Sequence, residues 1–173
     1  LSNSMAVEDV SAGLAVLFPD LNEAFISAAN VDVNWTGSVL EHNLVSAPCG
    51  QTGPHCLSAD GSGIAVSAYM IGSSSYWTGS VGTSFVAPTI SGAVALVAEH
   101  FPNQSPEQWT DRLLASADNV LGFTQDGSVT FGNGVVHGWS SEAGHGMLDI
   151  YAALQPITSS SSARGVGGSN FYA

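Results

Sequence analysis

Residues 82–88 read Gly82-Thr83-Ser84-Phe85-Val86-Ala87-Pro88, and no other segment of the chain is as informative. Ser84 lies between a Gly-Thr turn and a small, apolar run, which predicts a long helix over about residues 84–101. The Ser84 hydroxyl would then lie at a helix N-terminus, where backbone N–H groups have no intrahelical partner. Such a position favours negative charge and suits an oxyanion that forms beside a nucleophile. Serine is also a common helix cap, so the position alone leaves a structural role open.

The predicted helix has apolar residues on nearly all sides, and we therefore expect it to be buried rather than half exposed. A second helix should follow, because Ser105 can cap it, Pro106 suits its first position and Gln108 completes a capping box. This helix is expected to end near residue 117. A last helix is predicted after His145-Gly146, over about residues 147–154.

Short apolar runs bounded by turn residues predict β-strands at 24–31 and 64–70, with a further candidate at 38–45. Residues 129–136 are typical of a hairpin that turns near 132–134. Because strands are followed by crossover helices, the pattern indicates an α/β fold with parallel strands.

Length and composition favour one globular domain, since the chain has 173 residues of which 45% are hydrophobic. Residues 158–173 are rich in Ser and Gly and are predicted to form a flexible linker or tail, which leaves residues 1–157 as the domain. The chain opens without a secretory signal segment, and we interpret it as a processed product or an excerpt of a longer polypeptide.

The chain is strongly acidic, with two Lys and Arg against 14 Asp and Glu and a formal net charge of −12. Nucleic-acid binding needs clustered cations, so the composition excludes it, and it disfavours adsorption to an anionic membrane surface. No apolar run is long enough for a membrane span. The acidity is compatible with an extracellular protein and with structural calcium, although solubility alone also explains it. No cofactor is indicated with certainty.

The two cysteines lie close together in Cys49-Gly50-Gln51-Thr52-Gly53-Pro54-His55-Cys56. Gly and Pro between them suit a tight loop, and a disulfide formed in an oxidising compartment is the favoured interpretation. Two reduced thiols, or a metal site that includes His55, are the alternatives.

The residue 82–88 segment closely resembles the nucleophile motif of the subtilisin-like serine protease family. Residues 24–32 and 144–154 resemble two further blocks of that family, in the family order. The resemblance implies the C-terminal portion of a three-layer α/β fold, with a mostly parallel sheet and a buried helix that starts at the nucleophile Ser84. Thr89 and Val86 depart from the family's usual His and Ala, and neither change touches the hydroxyl.

A narrower resemblance is to the subtilisin-like passenger domains of bacterial autotransporters. Those domains often carry a Gly-Leu-x-x-Leu-Phe-Pro-Glu-Leu segment, to which residues 13–21 are similar, and a Cys-Gly…Cys-Leu-x-Ala-x-Gly clip, to which residues 49–61 are similar. This resemblance implies a secreted or cell-surface protein.

The family resemblance assigns Ser84 as the catalytic nucleophile, which needs an imidazole base and an acid that orients it. The family's Asp and His motifs do not occur here, and none of the five histidines has the required context. Asp32 is expected to be a turn residue at a strand end rather than the triad acid. We therefore expect the triad Asp and His in a missing N-terminal segment.

The second oxyanion donor of the family is an Asn in an Ala-Gly-Asn turn. Asn30 belongs to the wrong block for this role. Asn3 lies at a suitable distance ahead of that block but lacks the flanking Gly, so we expect the family Asn upstream of residue 1. The Ser84 N–H remains as one oxyanion donor, and Thr83 supports either the oxyanion region or only the turn.

The sequence therefore predicts part of a subtilisin-like serine endopeptidase that hydrolyses peptide bonds through an acyl-enzyme. Its partners are a peptide or protein substrate and the missing N-terminal segment, and the isolated segment is expected to be inactive. The alternative is a catalytically inactive subtilisin-like module for adhesion or scaffolding.

Overall fold

The structure is a computed structural model that describes residue 3 and residues 13–37, 40–71, 74–119 and 121–157. It mixes helices and strands, in agreement with an α/β fold. The helices are α1 (Leu14–Leu17), α2 (Thr83–His100), α3 (Pro106–Ala115) and α4 (Ile150–Ala153). The strands are β1 (Ser27–Trp35), β2 (Leu40–Leu44), β3 (Cys56–Ala59), β4 (Ile64–Ile71), β5 (Ser74–Ser80), β6 (Gly127–Thr130) and β7 (Val136–Trp139). The predicted tail, 158–173, lies outside the described residues.

The described strands form small sheets. In the first, of order β2-β1-β3, β1 is parallel to β3 and antiparallel to β2. The pairs β4–β5 and β6–β7 are antiparallel, because short connections join the two strands of each pair. Only β1 and β3 are parallel among the described strands. The three-layer, mostly parallel sheet therefore stays a prediction for a complete domain.

Helix α2 begins at Thr83, one residue earlier than expected, and the expectation that it would be buried on all sides is wrong for the described chain. One face is buried and consists of Thr83, Val86, Ile90, Ala93 and Val97. The opposite face is exposed and includes Ala87, Pro88, Ser91, Ala95 and Leu96. The buried apolar residues belong to one core cluster with residues of β1, β3 and α3.

Helix α3 confirms the capping signals. The Ser105 side chain accepts the Gln108 backbone N–H, and the Gln108 side chain accepts the Ser105 N–H in return. Arg112 of α3 is buried, with only 1% of its surface exposed, and it binds the backbone at the end of α4. Its Nε and Nη2 donate to the carbonyls of Ala153 and Gln155, and its guanidinium lies 3.8 Å from the Phe101 ring centroid.

Other expectations hold in part. The hairpin at 127–139 is confirmed, with its turn at Gly132–Gly134. Strand β5 was not anticipated, because its Ser- and Gly-containing sequence reads as a turn. Helix α4 is shorter than predicted, since the preceding residues are extended: Met147 N–H donates to Asp118 O, and Leu148 N–H to Ser58 O.

The cysteine interpretation is confirmed by a Cys49–Cys56 disulfide with a Cα–Cα distance of 6.0 Å. Both cysteines are buried beside Ala29 of β1, so the bond fixes the start of β3 against the central strand. In the part of the chain that the structure describes, no helix is both long and apolar enough to cross a bilayer.

Candidate active site

Ser84 is the second residue of α2, and its side chain is exposed. The first N–H groups of a helix have no carbonyl one turn earlier to receive them. Here the Thr83 N–H donates to Asn3 Oδ1 at 2.9 Å, and the Phe85 N–H donates to Gly82 O at 3.0 Å. The Ser84 N–H has no acceptor among the described residues. The exposed hydroxyl thus lies beside a backbone donor that is open to an incoming oxyanion.

The Asn3 side chain contacts this turn from the exposed side. Its Oδ1 accepts both the Thr83 N–H and the Thr83 hydroxyl, the latter at 3.0 Å. A Cβ on Gly82 would lie 3.2 Å from the Asn3 amide atoms, so glycine allows this close approach. The location of the family Asn upstream of residue 1 stays a prediction.

The inner side of the turn is held through Gly61. Its carbonyl accepts the Gly82 N–H at 3.1 Å, and its own N–H donates to Asn30 Oδ1 at 2.8 Å. Asn30 is 0% exposed. It therefore cannot reach a substrate, and its side chain acts inside the domain.

The histidines are engaged elsewhere, and none of them forms a hydrogen bond with Ser84. His42 packs edge-on against Phe123, and His100 against Phe101. His137 and His145 form a buried pair with their Nδ1 atoms 3.0 Å apart. Each ring also places Nε2 near a backbone carbonyl, that of Ala117 for His137 and of Pro54 for His145.

Burial controls the protonation of this pair. It lowers the pKa of His145 to about 3, with a further lowering from the neighbouring His137. Burial likewise lowers the pKa of His137 and of His55. A base that is buried and bonded to the main chain cannot relay protons at the surface where Ser84 lies. The pair is structural in this chain.

Asp32 was expected in a turn but lies within β1, opposite Asn43 of β2. Its Oδ2 accepts a hydrogen bond from Asn34 Nδ2 at 2.9 Å. The described residues contain no group of three or more His, Cys, Asp or Glu side chains that could hold a metal ion.

The comparison with known families matches this architecture. A model described as the subtilase family of peptidases matches residues 3–146, which runs from Asn3 past α3 to the buried histidine pair. The chain belongs to the subtilase family. An extracellular serine protease of Serratia marcescens is 29% identical in an alignment of 148 residues that covers 70% of this chain and 14% of that protein. The subtilase chain thus spans about a seventh of its curated relative.

Two solved structures are also similar to the chain. MycP1 with its N-terminal propeptide removed is 23% identical, with a TM-score of 0.49 over 80% of this chain and 38% of that one. MycP3 protease from the type VII (ESX-3) secretion system is 17% identical, with a TM-score of 0.42 over 87% of this chain and 50% of that one. These likenesses are too distant for a comparison of individual sites.

The buried histidine pair predicts a pH dependence of stability. The pKa of His145 is about 3 in the folded state and 6.5 ordinarily, so the unfolded state binds more protons between these values. The stability that neutral, buried His145 contributes to the folded state is fully present above about pH 6.5 and is lost as the pH falls towards 3. A His145→Gln variant should be less stable than the parent at pH 7, and the gap should narrow as the pH is lowered to 4.

The measurement is thermal unfolding of the complete protein at each pH. Ser84 is replaced by Ala in every sample, so that any proteolysis of the unfolded chain does not distort the unfolding curve. His100→Gln is the matched control, because His100 is exposed at the end of α2. The His145→Gln gap should narrow by more than the His100→Gln gap over the same pH range. A His145→Gln gap that stays constant with pH would contradict the buried, neutral state of the pair.

Proposed function

We propose that this subtilase chain is the nucleophile-bearing part of a serine endopeptidase, with Ser84 as the catalytic nucleophile. The observation that carries the proposal is the exposed Ser84 hydroxyl at the start of α2, beside a Ser84 N–H that has no acceptor among the described residues. Asn3 is the proposed second donor. Its Oδ1 accepts from Thr83, which leaves its Nδ2 to donate to an oxyanion.

The proposed reaction begins when Ser84 Oγ attacks the carbonyl carbon of a peptide and gives its proton to an imidazole. The carbonyl oxygen becomes an oxyanion, which accepts hydrogen bonds from the Ser84 N–H and Asn3 Nδ2. The C–N bond then breaks as the imidazolium protonates the departing amine. Water attacks the resulting acyl-enzyme, the imidazole takes a proton from it, and that proton returns to Ser84 Oγ as the acid leaves.

The imidazole and its orienting Asp are proposed to come from an N-terminal segment of the same protease. Support comes from the exposed face of α2, where an apolar cavity of about 440 Å³ opens between α2, α3 and the start of β1. Its lining includes Ile26, Ala87, Val94 and Trp109. Ala87 is one helical turn from Ser84, so an element that covered this cavity would also pass close to the nucleophile.

The wider organisation is proposed on the same basis. Residues 1–157 would form the C-terminal portion of a three-layer peptidase domain, and residues 158–173 a linker. A secreted protein is supported by the disulfide and by the extracellular relative. The autotransporter type is proposed from residues 13–21 and 49–61 alone. Bound calcium has no role in this proposal.

The alternative, an inactive adhesion or scaffolding module, has one observation in its favour. None of the five histidines of this chain forms a hydrogen bond with Ser84. The two functions differ in whether Ser84 reacts when the upstream segment is present.

Ser84 should react with a fluorophosphonate probe in the complete protein. The reason is that the probe mimics an acyl substrate and needs both an activated hydroxyl and oxyanion donors. Ser84→Ala should abolish labelling, whereas Ser91→Ala, which changes another exposed serine of α2, should leave it unchanged. Labelling that survives Ser84→Ala would refute the assignment, and an unlabelled parent protein would favour the inactive module.

Asn3→Ala should lower kcat for a peptide substrate about 10²–10³-fold, the loss measured when one oxyanion donor is removed from another subtilisin. KM should change little, because the bond forms to the oxyanion rather than to the bound substrate. Asn3→Asp is the second variant, since it still accepts from Thr83 but offers no amide donor. Full activity of Asn3→Asp would mean that Asn3 only supports the turn.

Residues 1–173 alone should not hydrolyse peptides, because a serine hydroxyl without a positioned base is a poor nucleophile near neutral pH. The exposed apolar face of α2 should also make the isolated segment prone to aggregate. The test is to assay the purified segment on a broad peptide library and then to add the upstream segment. Ser84-dependent turnover by the segment alone would show that one of its own histidines is the base.

A further inference from the structure

We infer that Asn30 is a positioning residue for the nucleophile, acting through Gly61 on the turn that carries Ser84. The inference rests on the proposed role of Ser84 and extends it to the interior of the domain. Asn30 touches neither the substrate nor the reacting atoms. It sets where the turn lies.

The connection runs through consecutive hydrogen bonds. Asn30 pairs with Ala59 across the parallel β1–β3 ladder, which brings its side chain level with the loop that follows β3. Asn30 Oδ1 accepts the Gly61 N–H at 2.8 Å, Gly61 O accepts the Gly82 N–H at 3.1 Å, and Gly82 O accepts the Phe85 N–H at 3.0 Å. The central strand is thereby linked to the first turn of α2.

Steric contact makes this link stiff. A Cβ on Gly61 would lie 2.7 Å from Gly82 O, 2.7 Å from Val86 Cγ2 and 3.1 Å from Asn30 Oδ1. Gly61 is thus wedged between the asparagine side chain and the start of the helix, with no space for a side chain of its own. A displacement of Gly61 would be transmitted directly to Gly82, two residues before Ser84.

A further observation separates Asn30 from an ordinary core residue. Its side chain is 0% exposed, and its Nδ2 has no acceptor among the described residues. A buried amide with an unpaired N–H₂ group costs stability relative to an apolar side chain of similar size. The strand does not need the amide for its own backbone, since the Asn30 N–H donates to Ser46 Oγ and β1 pairs normally with β3. The Asn30 amide instead provides Oδ1, which accepts the hydrogen bond from the Gly61 N–H.

The test compares variants in the complete protein. Asn30→Leu keeps the branching at Cγ but removes the acceptor, and it should lower kcat and the rate of fluorophosphonate labelling about tenfold to hundredfold, because small displacements of a nucleophile have effects of that size. KM should stay within about twofold, since no substrate contact is lost. Asn30→Asp retains an acceptor and should recover most of the rate.

Val31→Ala is the matched control, because Val31 is the next residue of β1, is also 0% exposed and contacts Phe123 rather than Gly61. It should lower the unfolding temperature and leave the rate per folded molecule unchanged. Gly61→Ala should slow labelling as Asn30→Leu does, and the double variant should be little slower than either one, because both act on one connection.

The outcomes distinguish the two claims. If the parent is labelled at Ser84 and Asn30→Leu is labelled as fast as Val31→Ala per folded molecule, the positioning role is overturned while the proposed function stands. If the parent protein is not labelled, the proposed function fails and the positioning role fails with it. Slow labelling of Asn30→Leu, recovery in Asn30→Asp and a normal rate in Val31→Ala would support both.

Discussion

The backbone hydrogen bond from the Gly82 N–H to Gly61 O is the contact on which the arrangement of the site depends. It joins the loop that follows β3 to the turn that precedes α2. Neither β3 nor α2 alone would keep these two segments together. Packing of Val86, which is 0% exposed, keeps the helix pressed against that loop. This backbone hydrogen bond and the packing of Val86 therefore link the turn that carries Ser84 to the loop after β3.

Helix α2 has one buried face and one exposed face. Its buried face follows Val86, Ile90, Ala93 and Val97, which pack with Leu57 and Leu113 in the main core. Its exposed face carries Ser84 together with Ala87, Ser91 and Ala95. An apolar residue left in water contributes no hydrophobic stabilisation, so the apolar character of the second face is unexplained by this chain alone and is consistent with a covering element.

Local features of this fold could be predicted from the sequence, and features built from distant segments could not. The start of α2, the capping box at Ser105 and the Cys49–Cys56 loop depend on residues that are close in sequence, and all are present. Asn3 and Thr83 are 80 residues apart, and Asn30 and Gly61 are 31 apart. Motif spacing says little about such pairs, because the fold itself brings them together. The burial of α2 was wrongly predicted for the same reason: a helix pattern reports how apolar each side is, not which neighbours are present to cover it.

The division of the proposed site between two segments has a physical basis. Oxyanion stabilisation requires donors fixed to within a few tenths of an ångström of the nucleophile, and the Ser84 N–H meets this condition because it belongs to the same residue. Asn3 is fixed to the adjacent Thr83 by two hydrogen bonds, so it moves with the turn. A general base must also lie within hydrogen-bond reach of Oγ and be oriented by its own partner. The proposed oxyanion donors are thus local to Ser84, whereas the proposed base and its acid would be positioned by packing of the N-terminal segment against the exposed face of α2.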